Sequence, residues 1–156
     1  MRSFFKQNHY DSVGLYYPIK NEIDIRPVLL ELQSEGAIKT LALPRILNDD
    51  MTFAPWQFGQ CLSPDQYGIP APLTSELVYP QCLLIPCVAI DLDGYRLGYG
   101  GGWYDRILSG QHFDLTIGVV PACFVCRALA HETYDRALSG WVCENGFTWV
   151  VKPSCG

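Results

Sequence analysis

A chain of 156 residues with 11 Lys and Arg against 16 Asp and Glu carries a net charge of −5 and lacks the basic stripe of a nucleic-acid binder. Hydrophobic residues make up 49% of it, enough for one domain over residues 1–156 to bury most of its surface, yet no apolar run reaches membrane-span length. Seven cysteines at irregular spacing, without the apolar core of a signal peptide, fit reduced thiols in a cytoplasmic setting.

Residues 1–11 are polar without a helical stripe and are expected to fray. Residues 12–17 are β-rich and read as a first strand, ended by Pro18, with Glu22 in the loop that follows. Asp24 is a natural N-cap for a helix over 25–35, where Leu29, Leu30 and Leu32 are apolar and Gly36 is a stop. Pro27 is tolerated there because it falls in the first turn. Residues 40–43 read as a second strand, broken at Pro44, and residues 45–56 as a hairpin turning at Asn48-Asp49-Asp50. The proline-punctuated connection over 57–76, with Tyr67 near its middle, is long enough to carry function.

The apolar run 82–90 reads as a buried central strand, and Asp93-Gly94 as a tight turn that folds the chain back briefly. Gly98, Gly100, Gly101 and Gly102 then form a loop just ahead of a short helix over 103–108. A glycine loop entering a helix lets several backbone N–H groups converge where the helix dipole also favours negative charge. Arg96 and Arg106 flank it, and a guanidinium grips phosphate oxygens bidentately. Asp105, in the first helical turn, is placed to cap it or to hold a metal ion. The stretch reads as a phosphate cradle. It is neither of two familiar ones: Trp103 stands where the dinucleotide fingerprint has its third glycine, and no Gly-Lys-Ser/Thr is present. The competing account is a flexible hairpin whose Trp103 and Tyr104 pack in the core.

Residues 116–120 read as another buried strand, 124–130 as helical, and 141–143 as a last short strand. Asn145-Gly146 turns the chain into an apolar tail over 147–151. Cys123-x-x-Cys126 lacks a second pair or nearby histidines, so core packing is preferred there to metal binding. Strands alternating with helices imply an α/β fold: a single three-layer domain whose mainly parallel sheet is covered by helices on both faces. Ligands on such sheets sit beyond the carboxyl ends of the strands, where the cradle falls.

The full run Arg96-Leu-Gly-Tyr-Gly-Gly-Gly-Trp-Tyr-Asp-Arg106, after a strand ending Ala-Ile-Asp91 and an Asp-x-x-Gly turn, resembles the signature of the 5-formyltetrahydrofolate cyclo-ligases, or methenyltetrahydrofolate synthetases. The similarity extends from about Val13 to Glu144. It implies conversion of 5-formyltetrahydrofolate to 5,10-methenyltetrahydrofolate with ATP and Mg²⁺. By that resemblance Arg96 and Tyr104 act at the catalytic centre, and Arg96, Gly98, Gly100, Gly101, Gly102 and Trp103 hold the nucleotide. Tyr17-Pro18 with Glu22-Ile-Asp24 resembles the segment whose glutamate contacts the folate pterin, which makes Glu22 the match; the bare residue would read as an exposed loop glutamate. Tyr67-Gly-Ile-Pro70 resembles the substrate-side segment, where Tyr67 stacks on a flat heterocycle and Tyr104 also meets the folate. His131-Glu-Thr-Tyr-Asp135 resembles the closing segment, making Asp135 the partner of Asp105 around Mg²⁺.

Several positions depart from the family pattern. Ser139 and Cys143 replace an aspartate and a threonine, and Gly101 stands for a lysine of the loop. Members ordinarily begin with a long basic helix that reaches the ATP phosphates, to which Arg2 and Lys6 cannot be matched. The absence of that basic helix leaves a second reading open, a shortened homologue that binds folate or nucleotide without efficient turnover. The expected partner in either case is a reduced folate, with no nucleic acid and no membrane; the sequence specifies no oligomeric state.

Overall fold

The computed structural model describes residues 1–98, 102–132 and 135–150. A seven-stranded sheet forms its centre. The strands are β1 (Tyr10–Gly14), β2 (Ile38–Leu47), β3 (Asp50–Trp56), β6 (Cys82–Pro86), β9 (Leu115–Val119), β11 (Gly140–Cys143) and β12 (Gly146–Trp149), in the order β12-β11-β9-β6-β1-β2-β3. The five inner strands run parallel. Antiparallel β12 and β3 close the two edges. β6 lies in the middle and all five of its residues are buried, as its unbroken Cys-Leu-Leu-Ile-Pro run demands of a strand covered on both faces.

Helices cover both faces, as expected. α1 (Arg2–Gln7) and α2 (Arg26–Ser34) pack Phe5, Leu29 and Leu32 against Val13, Leu15, Leu84 and Ile117 on one face. α3 (Trp103–Gly110) packs Tyr104, Ile107 and Leu108 against the group of Ala42, Leu83 and Ile85 on the other. Two small sheets complete the fold. β7 (Ala89–Asp91) pairs with β8 (Arg96–Leu97) and with β10 (Val125–Cys126), and β4 (Leu62–Pro64) forms a hairpin with β5 (Pro70–Pro72).

Several elements differ from expectation, each for a physical reason. Residues 1–11 are not structureless: they form α1 and the start of β1, with Phe5 only 1% exposed and Arg2 and Lys6 pairing with Glu31 of α2 and Glu35 at its C-cap. One buried ring in six residues gives no periodic stripe, so the anchor was invisible. β1 begins earlier and ends at Gly14, leaving Leu15 to Tyr17 beyond the strand. α2 starts one residue later than expected; Ile25 occupies the cap, and the Asp24 carboxylate accepts the Arg26 N–H at 3.1 Å.

β2 runs through Pro44 instead of breaking there. Its pairing with β1 reaches only Ala42, so Pro44 has a strand neighbour on one side alone, opposite Phe53. Proline is tolerated at such an edge. The hairpin turns as expected, with Asn48 and Asp49 left-handed at φ 52° and 58°. The run 82–90 is two strands, because β6 ends at Pro86 and β7 joins a different sheet. Residues 124–130 are not helical: a single tight turn over Ala122–Phe124 leads into β10. Cys123 is exposed and Cys126 half-buried, with its thiol 3.4 Å from the Ile90 carbonyl, so core packing fails for the first of the pair. Among the described residues no group of three or more His, Cys, Asp or Glu could hold a metal ion.

One buried carboxylate organises the approach to the cradle. Asp91 is 1% exposed; its Oδ1 accepts the N–H groups of Asp93 and Tyr95, and its Oδ2 that of Leu129 at 2.9 Å. Gly94 completes the turn at φ 89°, where a Cβ would meet the Leu138 carbonyl oxygen at 2.7 Å. Asp91→Ala strands three donors, so we expect a loss of about 3 kcal/mol in urea unfolding. A loss under about 1 kcal/mol would show that water replaces the carboxylate there.

Candidate active site

A cleft of about 390 Å³ opens at the carboxyl ends of the inner strands. Tyr16 and Tyr17 follow β1 into it, Pro44 and Ile46 lie on the part of β2 that outruns β1, and Pro86 is the last residue of β6. Ligands collect at this end of a parallel sheet because the loops that carry functional groups start there. Glu22, Arg96, Gly98, Gly102, Trp103, Tyr104, Asp105 and Asp135 all line this one cleft. They come from positions 113 residues apart in the chain at the extremes, and the topology alone brings them together.

Glu22 sits on a tight loop. The Ile19 N–H donates to its Oε1 at 2.8 Å, and the Glu22 N–H donates to the Ile19 carbonyl at 3.1 Å. Lys20 takes a left-handed conformation, φ 53°, to close that loop. Burial raises the Glu22 carboxyl above its usual range, opposed by the Ile19 N–H and the nearby Lys20 ammonium. Behind it, the Asp24 carboxylate holds the Arg26 guanidinium through two bonds of 2.9 Å, and that guanidinium lies 4.2 Å from the centre of the Tyr17 ring.

Across the cleft, Arg96 projects from β8, the returning arm of the Asp91 turn. Its guanidinium lies 5.1 Å from the Tyr104 ring centre, and its buried Nε has no hydrogen-bond partner among the described residues. Gly98 presses on the same group, since a Cβ there would meet Nη1 at 2.5 Å. Gly102 opens α3 at φ 68°, and no side chain caps the helix, which leaves its first N–H groups to the cleft end. Burial also pushes the Tyr104 hydroxyl well above the usual tyrosine range, against the opposing pull of Arg96. Tyr104 is therefore a proton-bearing donor at neutral pH. The thiol of Cys87 is pushed up to about 12 by burial and stays protonated and inert.

Asp105 is the only acidic residue in the first turn of α3, and Asp135 faces the same cleft. Asp135 commits Oδ2 to the Glu132 N–H at 2.8 Å. Two carboxylates beside a glycine-flanked helix start suit Mg²⁺, which takes one or two protein carboxylates and completes its shell with phosphate oxygens and water. The donor set fits that ion and nucleotide phosphates together, whereas it is too small for an all-protein metal cage.

Other assignments fall differently. Gly100 and Gly101 lie outside the described residues. Tyr67 does not line the cleft; it is 56% exposed and meets the Trp103 ring edge-on at 5.9 Å, which sets it on the rim. Arg106 lies 4.2 Å from the Trp103 ring centre instead of standing free beside the loop. Sequence reasoning missed Tyr16, Met51, Asp65 and Ile69, all of which line the cleft. Asp65 accepts N–H groups from Ile46, Tyr67 and Ile69, so it ties the β4–β5 hairpin to β2. An Asp ahead of the Tyr67-Gly-Ile-Pro turn was its one local signal.

Fold and cleft together define an α/β protein with one cleft, lined by Arg96, Glu22, Asp105 and Asp135, at the carboxyl ends of its sheet. The family model described as the 5-formyltetrahydrofolate cyclo-ligase family matches residues 3–144, and the chain belongs to that family. A 5-formyltetrahydrofolate cyclo-ligase of Mycoplasma pneumoniae is 31% identical over 97 residues, 62% of this chain and 51% of that protein. The match thus spans about half the length of that relative. The Haemophilus influenzae protein of the same name is 27% identical over 87% of this chain and 77% of its own. The solved 5,10-methenyltetrahydrofolate synthetase of Aquifex aeolicus superposes with a TM-score of 0.79 at 32% identity, covering 95% of this chain and 74% of that one. These relatives carry the names of enzymes, which does not favour a binder without turnover.

Proposed function

We propose that the protein converts 5-formyltetrahydrofolate to 5,10-methenyltetrahydrofolate in the cytoplasm, using ATP and Mg²⁺ and releasing ADP and phosphate. The observation that supports this reading is the convergence in one cleft of a side suited to anions, Arg96 with Gly98 and Gly102, and a half-buried acceptor, Glu22. ATP supplies the phosphoryl group that makes the formyl oxygen a leaving group, and Mg²⁺ shields the phosphate charge. The protein's part is positioning and charge neutralisation, as in other phosphoryl transfers.

Arg96 would hold phosphate oxygens bidentately, on a seat fixed by Tyr104 and Gly98. Gly102 would let backbone N–H groups approach the same oxygens, and Trp103 would wall that end. Asp105 and Asp135 would hold the metal ion. Glu22 would accept paired hydrogen bonds from the amino and ring N–H groups of the pterin. Tyr104 donates from its hydroxyl, and Tyr67 offers a flat face at the rim. The test is the appearance of methenyltetrahydrofolate absorbance, which should require both ATP and Mg²⁺. Absence of product together with absence of folate binding would overturn the reading.

The raised carboxyl of Glu22 makes a separate prediction. The folded state holds the Glu22 proton more tightly than the unfolded chain does, so its contribution falls as pH rises past the ordinary carboxyl range. Glu22→Gln removes that penalty and can still accept the Ile19 N–H. The variant should therefore gain Tm relative to the parent as pH rises above the ordinary carboxyl range, while losing folate affinity. A Tm difference that does not change with pH would show that Glu22 ionises without hindrance.

A further inference from the structure

We infer that Tyr16 is a positioning residue for substrate recognition: its buried hydroxyl fixes the loop that presents Glu22 to the cleft. This rests on the proposed role of Glu22. Tyr16 follows the buried Leu15 just past the end of β1 and is itself 2% exposed, yet it lines the cleft. Its Oη donates to the carbonyl of Ile23 at 2.7 Å. That bond ties the residue after Glu22 to the rigid centre of the sheet. Burial keeps the phenol protonated well beyond neutral pH, with the nearby Glu22 carboxylate adding to the effect, so the donor is always present.

This bond is a direct tie between the chain just past β1 and the loop that carries Glu22. The loop's internal bonds, between Ile19 and Glu22, hold its shape but not its place relative to β1. The Asp24–Arg26 pair fastens its far end to α2 and to Tyr17. Between those points the Tyr16 hydroxyl is the one described side-chain bond to the Ile23 carbonyl. The Glu22 carboxylate has one oxygen engaged by the Ile19 N–H, so its value to a ligand depends on where the other is held. An error of about 1 Å in such an acceptor is enough to weaken paired hydrogen bonds. Tyr16 and Tyr104 line the same cleft, which also holds Glu22 and Arg96.

The inference separates from a plain stability role by a double-mutant cycle in the full chain. Tyr16→Phe keeps the ring and its packing and removes only the donor. It should raise KM for 5-formyltetrahydrofolate about fivefold, the range of one neutral hydrogen bond, and move KM for ATP less than about twofold. Glu22→Gln alone should raise the folate KM. In that background Tyr16→Phe should add little, because a device that serves Glu22 has nothing left to position. If the two effects multiply in full, Tyr16 acts elsewhere and the inference falls. An equal rise in both KM values would also overturn it, as the signature of general loosening. If Glu22→Gln leaves the folate KM unchanged, the assignment of Glu22 has failed instead, and the inference falls with it. Where Tyr16→Phe lowers stability, calorimetric titration below its melting point reads the same folate affinity.

Discussion

Arg96→Met should lower kcat/KM with ATP about a thousandfold while the chain stays folded, the scale of losing one preorganised charge at a phosphoryl-transfer site. The expectation follows from how the side chain is held. Its guanidinium is placed by the Tyr104 ring and by the absence of a side chain at Gly98, and its unpartnered Nε shows that the protein does not use the group for an internal ion pair. Among the described residues Arg96 makes no ion pair, which leaves its charge to serve a ligand. Arg96→Lys should recover little, since an ammonium cannot make the two parallel bonds of a guanidinium. Gly98→Val should reproduce much of the loss by a different route, because its Cβ would collide with Nη1 and push the group from its seat. Initial rates of methenyltetrahydrofolate formation read all three variants. A fall of less than about tenfold for Arg96→Met would remove Arg96 from the phosphate side, whatever the other two variants did.

The Asp93-Gly94 turn and the glycine start of α3 were legible in the sequence because their physics is local. A turn needs Asp93-Gly94, a helix entered without a cap needs a glycine such as Gly102, and both needs show within a few residues. The Asn48-Asp49 turn was legible for the same reason, as two adjacent positions at positive φ tolerate few other side chains. What escaped was non-local. Tyr16 and Asp65 look like ordinary loop or strand-end residues, and their importance lies in bonds to Ile23, Ile46 and Ile69 that only the folded chain creates. Pro44 misled because its tolerance depends on β1 stopping two residues short of it, a fact about a neighbour. α1 misled because a single buried ring, Phe5, anchors it, with exposed ion pairs to Glu35 adding little. Glu22 and Asp135 were reached by resemblance rather than by any property of their own surroundings. The cleft supplies that property: they face the same space as Arg96, from opposite ends of the chain.

The carboxylate pair makes the second large prediction, and it tests whether those two residues serve one ion. Asp105→Asn and Asp135→Asn should each raise the Mg²⁺ concentration for half-maximal rate by about a hundredfold, as removal of a charged ligand from a sparse site leaves little to hold the metal. The two sites need not respond alike. Asp105 rides on the first turn of α3, fixed to a helix, whereas Asp135 spends one oxygen on the Glu132 N–H. Asn at 135 can still accept that bond through its carbonyl oxygen, so its loss should report the metal and not the local turn. The decisive quantity is the double variant. Ligands of a single ion act as a unit, so the pair together should cost little more than either alone. Titrating Mg²⁺ at saturating ATP measures each curve. Independent losses that multiply would mean two separate roles. A parent-like Mg²⁺ curve for Asp135→Asn would leave Asp105 to share the ion with phosphate oxygens alone.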